Sequence, residues 1–218
     1  PGEKIAIVGA TGAGKSTLIN LLSRFYEFDK GKIYIDDHSI KDFTLRSLRK
    51  NVGIVLQDVF LFADSIYNNI TLQNPNVTRA MVYRAAKQIG VHEFIESLPG
   101  GYDYNVKERG LMLSSGQRQL IAFLRVYISN PSVLILDEAT SSIDSHSEEM
   151  IKNATHKITS NKTSILIAHR LSTIKNSDRI VVMDAGNIVE VGKHKELLNI
   201  KNGFYAQLYK TQFLEEAI

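Results

Sequence analysis

The chain has 218 residues, 44% of them hydrophobic, with 26 lysines and arginines against 23 aspartates and glutamates and no cysteine. That length suffices for a large core with one inserted subdomain, while the absence of thiols excludes disulfides and thiolate-bound metals. The net charge of +3 is spread without a long basic tract, so no nucleic-acid partner is expected, and no run approaches the roughly 20 apolar residues of a membrane-spanning helix.

No secretory signal precedes the first motif, and the sequence opens at Pro1 with a strand about to begin, so a fragment of something longer is expected. KIAIV (residues 4–8) is a near-continuous apolar run of the kind buried parallel strands show. It leads into Gly9, Ala10, Thr11, Gly12, Ala13, Gly14, Lys15 and Ser16, which fit G-x-x-x-x-G-K-[ST] between a strand and a helix and are followed by Thr17, a further candidate for phosphate binding. Glycines let the backbone curl so that its N–H groups converge on phosphate oxygens. The helix N-terminus adds partial positive charge, Lys15 reaches the β- and γ-phosphates, and Ser16 offers a hydroxyl to Mg²⁺.

VGIVL (52–56) is the next strand, and it projects Gln57 just beyond its carboxyl end. From Gln57 to about Pro131 strand signals give way to helical periodicity, notably in TRAMVYRAAKQIG (78–90) and SGQRQLIAFLRVYI (115–128). The second of these helices is opened by LSSGQRQ (113–119), a small-residue turn rich in backbone N–H groups. SVLIL (132–136) ends in Asp137 and Glu138, two carboxylates at the carboxyl end of a strand, where open α/β sheets bind ligands. Asp137 would hold Mg²⁺ through its water shell and Glu138 would take a proton from the attacking water; a strand-terminating acidic turn is the alternative. Ser145 and Glu148 have capping-box spacing, so a helix running towards Ile158 is expected.

TSILIA (163–168) presents His169 at the position matching Asp137, so His169 and Gln57 are candidates to face a γ-phosphate, whereas His38, His92, His146, His156 and His194 read as structural. RIVVMDAG followed by GNIVEVG reads as a hairpin, and the tail GFYAQLYKTQFLEEA as an amphipathic helix packed on the core. Strands alternating with helices indicate an α/β protein with a mostly parallel sheet. Residues 1–57 and 131–218 are expected to form its core and residues 58–130 a helical subdomain.

The order phosphate loop, Gln57, LSSGQ, ILDEATSSID and AHR resembles the ATP-binding domain of ABC transporters over essentially the whole chain. LSSGQ resembles that family's signature, usually LSGGQ, with Ser115 in place of the first glycine. The resemblance implies a P-loop NTPase (RecA-like) core with an inserted all-helical subdomain, an ATPase activity, and ATP and Mg²⁺ as cofactors. It implies head-to-tail pairing with a second ABC ATPase domain, identical or related. In that pairing Ser114, Ser115, Gly116 and Gln117 of one copy would meet the γ-phosphate held by the loop of the other, and Asp144 of Ser142-Ile143-Asp144 would lie in the loop crossing the interface.

By the same resemblance Glu138, His169, Gln57 and Lys15 carry catalysis, and Ser16, Gln57 and Asp137 hold the metal. Glu108-Arg109-Gly110 resembles a segment typical of exporter-type members, and DVFLFADSIYNNI (58–70) the segment that docks a transmembrane domain, with Phe60, Leu61 and Phe62 either docking or core residues. That partner, expected to be fused N-terminally, would place the domain at the cytoplasmic face of the cell membrane. In the family an aromatic residue ahead of Pro1 stacks on adenine, so weaker ATP binding is expected without it. A soluble ABC clamp on nucleic acid or ribosomes is disfavoured by the modest charge and the lack of a long coiled-coil insertion. A non-hydrolysing ATP sensor remains a further alternative. A GTPase is disfavoured because NKTS at Asn161 has the wrong fourth residue for N-K-x-D.

Overall fold

The computed structural model describes residues 1–137, 145–168 and 171–213. The chain divides into two compact units, Pro1–Gly53 with Ser132–Thr140 and Asn161–Ile218, and Ile54–Pro131 with Ser141–Ser160. Strands β1 (Lys4–Val8), β2 (Tyr34–Ile35), β3 (His38–Ser39), β5 (Val133–Asp137), β6 (Thr163–Ile167), β7 (Arg179–Asp184) and β8 (Asn187–Gly192) belong to the first, and β4 (Val52–Val55) begins in it. Its helices are α1 (Lys15–Leu22), α2 (Leu45–Asn51), α8 (Leu171–Lys175), α9 (His194–Leu198) and α10 (Phe204–Phe213). The second unit holds α3 (Ile66–Thr71), α4 (Arg79–Ile89), α5 (His92–Glu96), α6 (Ser115–Ser129) and α7 (Ser145–Thr159).

Five strands of the first unit lie side by side in the order β5-β6-β1-β7-β8. The first four are parallel, which is why they read as continuous apolar runs, and β8 returns antiparallel to β7. Asp137 is level with Ile167, and Ile167 with Ile7, so the carboxyl ends of β5, β6 and β1 align. On one side of the sheet Ala6, Val8, Ala168, Ile174, Ile180, Val182, Leu197 and Tyr205 form a buried cluster to which α8, α9 and α10 contribute. The tail is a helix over Phe204–Phe213, with Tyr205 buried at its start as its spacing predicts, and residues 214–218 lie outside the described residues.

Both hairpins turn through two residues of positive φ, Asp36 and Asp37 between β2 and β3, and Ala185 and Gly186 between β7 and β8. That geometry matches the right-handed twist of the strands it joins.

In the second unit α6 is the central element, packed on α3, α4 and α7 and burying Leu120, Ile121, Phe123 and Leu124. Its neighbour α4 starts after Thr78, whose hydroxyl accepts from Met81 N, and stops at Gly90, whose φ of 84° ends the helix. Helix α7 begins at Ser145 as the capping-box spacing predicts. It groups with this unit because it packs on α6 and α4, whereas the sequence reading assigned that stretch to the core. Its buried stripe, Ile151, Ala154 and Ile158, defines a face without naming what that face meets.

Candidate functional site

The phosphate loop leaves the sheet between two neighbours, because β1 pairs with both β6 and β7. A Cβ on Gly9 would lie 2.3 Å from the Met183 carbonyl oxygen, so only glycine lets the chain exit there. Ala13 N donates to Ala10 O at 3.1 Å, and Gly12 and Gly14 take φ of 83° and 100°, curling the loop back towards α1. Its N-cap Gly14 has no side chain to cap the helix and no acidic residue sits in its first turn, so among the described residues of that turn no carboxylate offsets its partial positive end. Ala10, Thr11, Gly12, Ser16 and Thr17 are exposed along the loop.

Lys15 is only 9% exposed, and its Nζ donates to Gly9 O at 2.7 Å and to Ala10 O at 2.9 Å. Burial lowers its pKa from the ordinary lysine value, and the charge of Asp137 opposes that shift. Two motifs far apart in sequence thus meet electrostatically at the carboxyl end of the parallel strands. Ser16 and Asp137 give a hydroxyl and a carboxylate. Among the described residues no three His, Cys, Asp or Glu side chains converge on a metal. Magnesium needs only one or two protein ligands when phosphates and waters complete its shell, so this donor set fits it. Glu138, His169, Ser142, Ile143 and Asp144 lie outside the described residues.

Sequence reading passes over two contacts of the loop. The Met183 backbone lies against Gly9, and Gly186 N donates to Ala13 O at 3.0 Å. The Ala-Gly pair signals a turn, but no local pattern says what the turn touches.

In the second unit Gln57 is an exposed residue two positions after β4. Ser114 caps α6 through a reciprocal pair, Gln117 N donating to Ser114 Oγ at 3.2 Å and Ser114 N donating to Gln117 Oε1 at 3.0 Å. Ser115 is half-buried and Gly116 buried, so the residue that departs from the family signature is not the most exposed member of the turn. Glu108–Gly110 forms a 3₁₀ turn in which Arg109 and Gly110 take φ of 52° and 69°. A Cβ on Gly110 would stand 2.9 Å from Leu61 Cδ1.

In the segment after Gln57 the core expectation holds for one residue of three. Leu61 is fully buried, while Phe60 and Phe62, 55% and 54% exposed, stack edge to face with centroids 5.2 Å apart. Buried Asn69 holds this segment in place: Phe62 N donates to its Oδ1 at 2.8 Å, and its Nδ2 donates to Phe62 O and Ser65 O, both at 3.0 Å. Arg125 Nε donates to Asn69 O at 2.9 Å, so α6 supports the same point.

Residues 1–141 match the family model described as ABC transporter. The chain is 49% identical over 213 residues to putative multidrug export ATP-binding/permease proteins of Staphylococcus aureus strains NCTC 8325 and Mu50, alignments that cover 98% of this chain and 37% of each relative. It therefore spans little more than a third of the length of the curated relatives it matches. A solved structure of a bacterial Atm1-family ABC exporter with ATP bound is similar at a TM-score of 0.88 and 45% identity, over 97% of this chain and 37% of that one.

Proposed function

The chain belongs to the ABC transporter family, and from that premise we propose that it is the ATP-binding and ATP-hydrolysing motor domain of an exporter. Two such domains, identical or related, pair head to tail around two Mg-ATP at the cytoplasmic face of a membrane and drive a transmembrane domain carried on the same polypeptide. The observation that best supports the reading is geometric: the loop that follows β1 curls so that Lys15 Nζ donates to Gly9 O and Ala10 O, and Asp137 ends β5 level with the end of β1. The similarity to relatives named as ATP-binding/permease proteins supports the fused membrane partner.

In this reading the loop from Gly9 to Thr17 binds the phosphates through backbone N–H groups, and Lys15 holds the charge of the β- and γ-phosphates. Ser16, Gln57 and Asp137 would hold Mg²⁺, which would neutralise charge on the phosphate oxygens. Glu138 orients the attacking water and takes its proton, and His169 fixes the γ-phosphate. From the partner copy, the turn at Ser114 to Gln117 approaches the same phosphate, with Asp144 beside it. Gln57, exposed Phe60 and Phe62, and the Glu108–Gly110 turn carry the nucleotide state to the membrane partner.

The deciding experiment is Glu138→Gln. General-base catalysis typically contributes about 10²–10⁴-fold, so this variant should bind ATP, remain paired and lose turnover by that order. A variant that hydrolyses ATP at the wild-type rate would remove Glu138 from the base role.

A further inference from the structure

The end of β7 and the turn that follows it lie against the phosphate loop at Gly9, Ala13 and Gly14. At the loop's start the Met183 carbonyl closes on Gly9, where β1 and β7 run side by side through Val8 and Val182. Near its end a Cβ on Gly14 would stand 3.4 Å from Gly186 Cα and 3.6 Å from Met183 Cε. Between these points Gly186 N donates to Ala13 O at 3.0 Å. The Ala13 carbonyl immediately precedes the first helical acceptor of α1, since Leu18 N donates to Gly14 O. It is therefore oriented by the β7–β8 turn and not by the helix ladder.

The orientation has a consequence one atom further on. Among the described residues no peptide bond is cis, and in a trans peptide the C=O and the following N–H point in opposite directions. Fixing the Ala13 carbonyl towards Gly186 aims the Gly14 N–H away from the turn. We infer that the Ala185–Gly186 turn is a positioning element of the phosphate loop, whose Gly186 N–H sets the direction in which the Gly14 N–H meets a nucleotide phosphate. This rests on the reading of residues 9–17 as an ATP-phosphate site. Within the turn Ala185 and Gly186 take φ of 45° and 81°, and Asn187 Nδ2 donates to Ala185 O at 3.2 Å.

Glycine at 186 is favoured by its φ of 81° and not by space, because a Cβ there would meet nothing within 4 Å. Gly186→Val, β-branched and averse to positive φ, should open the turn and withdraw the N–H, whereas asparagine tolerates that region. The test is calorimetric titration of Mg-ATP into the full chain, with unliganded melting temperature recorded beside it. A correctly aimed donor to a charged phosphate is worth about tenfold in affinity. Gly186→Val should therefore raise the Kd for ATP about tenfold, Gly186→Ala about threefold, and Gly186→Asn should restore wild-type binding. If the valine variant does not fold, the alanine variant carries the test. A folded valine or alanine variant with wild-type Kd overturns the inference, as does an asparagine variant that binds as weakly as valine. Failure of the wild-type chain to bind ATP would instead overturn the phosphate-site reading.

Discussion

Among single residues, the positions that carry chemistry differ in how visible they are. Lys15 and Asp137 are legible because each belongs to a spacing with a mechanism, and the shared charge environment in the fold accords with it. Asp37 is a backbone matter that no such spacing announces. It takes a φ of 64° at the second position of the β2–β3 turn, following Asp36 at 48°, where glycine is the favoured partner of aspartate. An aspartate in the left-handed region carries part of the ~1–2 kcal/mol that this region costs a residue with a Cβ. Asp37→Gly should therefore stabilise the chain by about 0.5–1 kcal/mol, raising Tm by roughly 1–4 °C for a chain of this size. A melting curve that shifts downward would mean the side chain contributes something the turn geometry does not account for.

Elements are legible in the sequence where their ends carry their own signals, and less so where only a face is marked. Helix α4 follows its Thr78 and Gly90 boundaries, and the hairpin of β7 and β8 falls where Asp-Ala-Gly-Asn separates two apolar runs. Helix α7 shows the limit, since an amphipathic stripe fixes which side is buried but not which unit buries it. Phe60, Leu61 and Phe62 show a finer limit: composition makes all three candidates for the core, and the three-dimensional packing buries only the middle one. Asn69 carried no signal at all, because its four-way role depends on the path of Phe62 to Ser65.

The C-terminal pair α9 and α10 yields a pH prediction from the same kind of long-range contact. His194 Nδ1 lies 2.6 Å from Tyr205 Oη, and its ring faces Tyr205 and Tyr209 with Lys175 and Lys195 nearby. Burial first, then the two lysines, lowers its pKa from the ordinary 6.5. The unfolded chain therefore takes up the proton before the folded one. This group's share of stability is present above about pH 6.5 and is lost as pH falls through that value towards the lower folded pKa. Denaturant midpoints measured from pH 7.5 to 5.5 should fall for the wild type and fall less for His194→Gln. Equal slopes would show that another group governs the acid limb.

At the scale of the whole molecule, the proposed clamp makes activity a property of two copies, since the loop of one and the signature turn of the other share each nucleotide. Ligand that binds only the closed pair contributes RT ln(1 + [L]/Kd), about 2.7 kcal/mol at a hundredfold excess over Kd for each site. Two nucleotides can therefore close an interface that is weak on its own. Ser115 bears on how weak: it puts a side chain where the family usually has none, and it is half-buried. The ATPase rate per milligram at saturating Mg-ATP should then rise with protein concentration and level off once pairing is complete. Ser115→Gly should reach that plateau at lower concentration. A constant, nonzero rate per milligram would mean that one copy holds a complete site. A rate of zero throughout, with ATP-dependent pairing intact, would turn the motor into a nucleotide sensor.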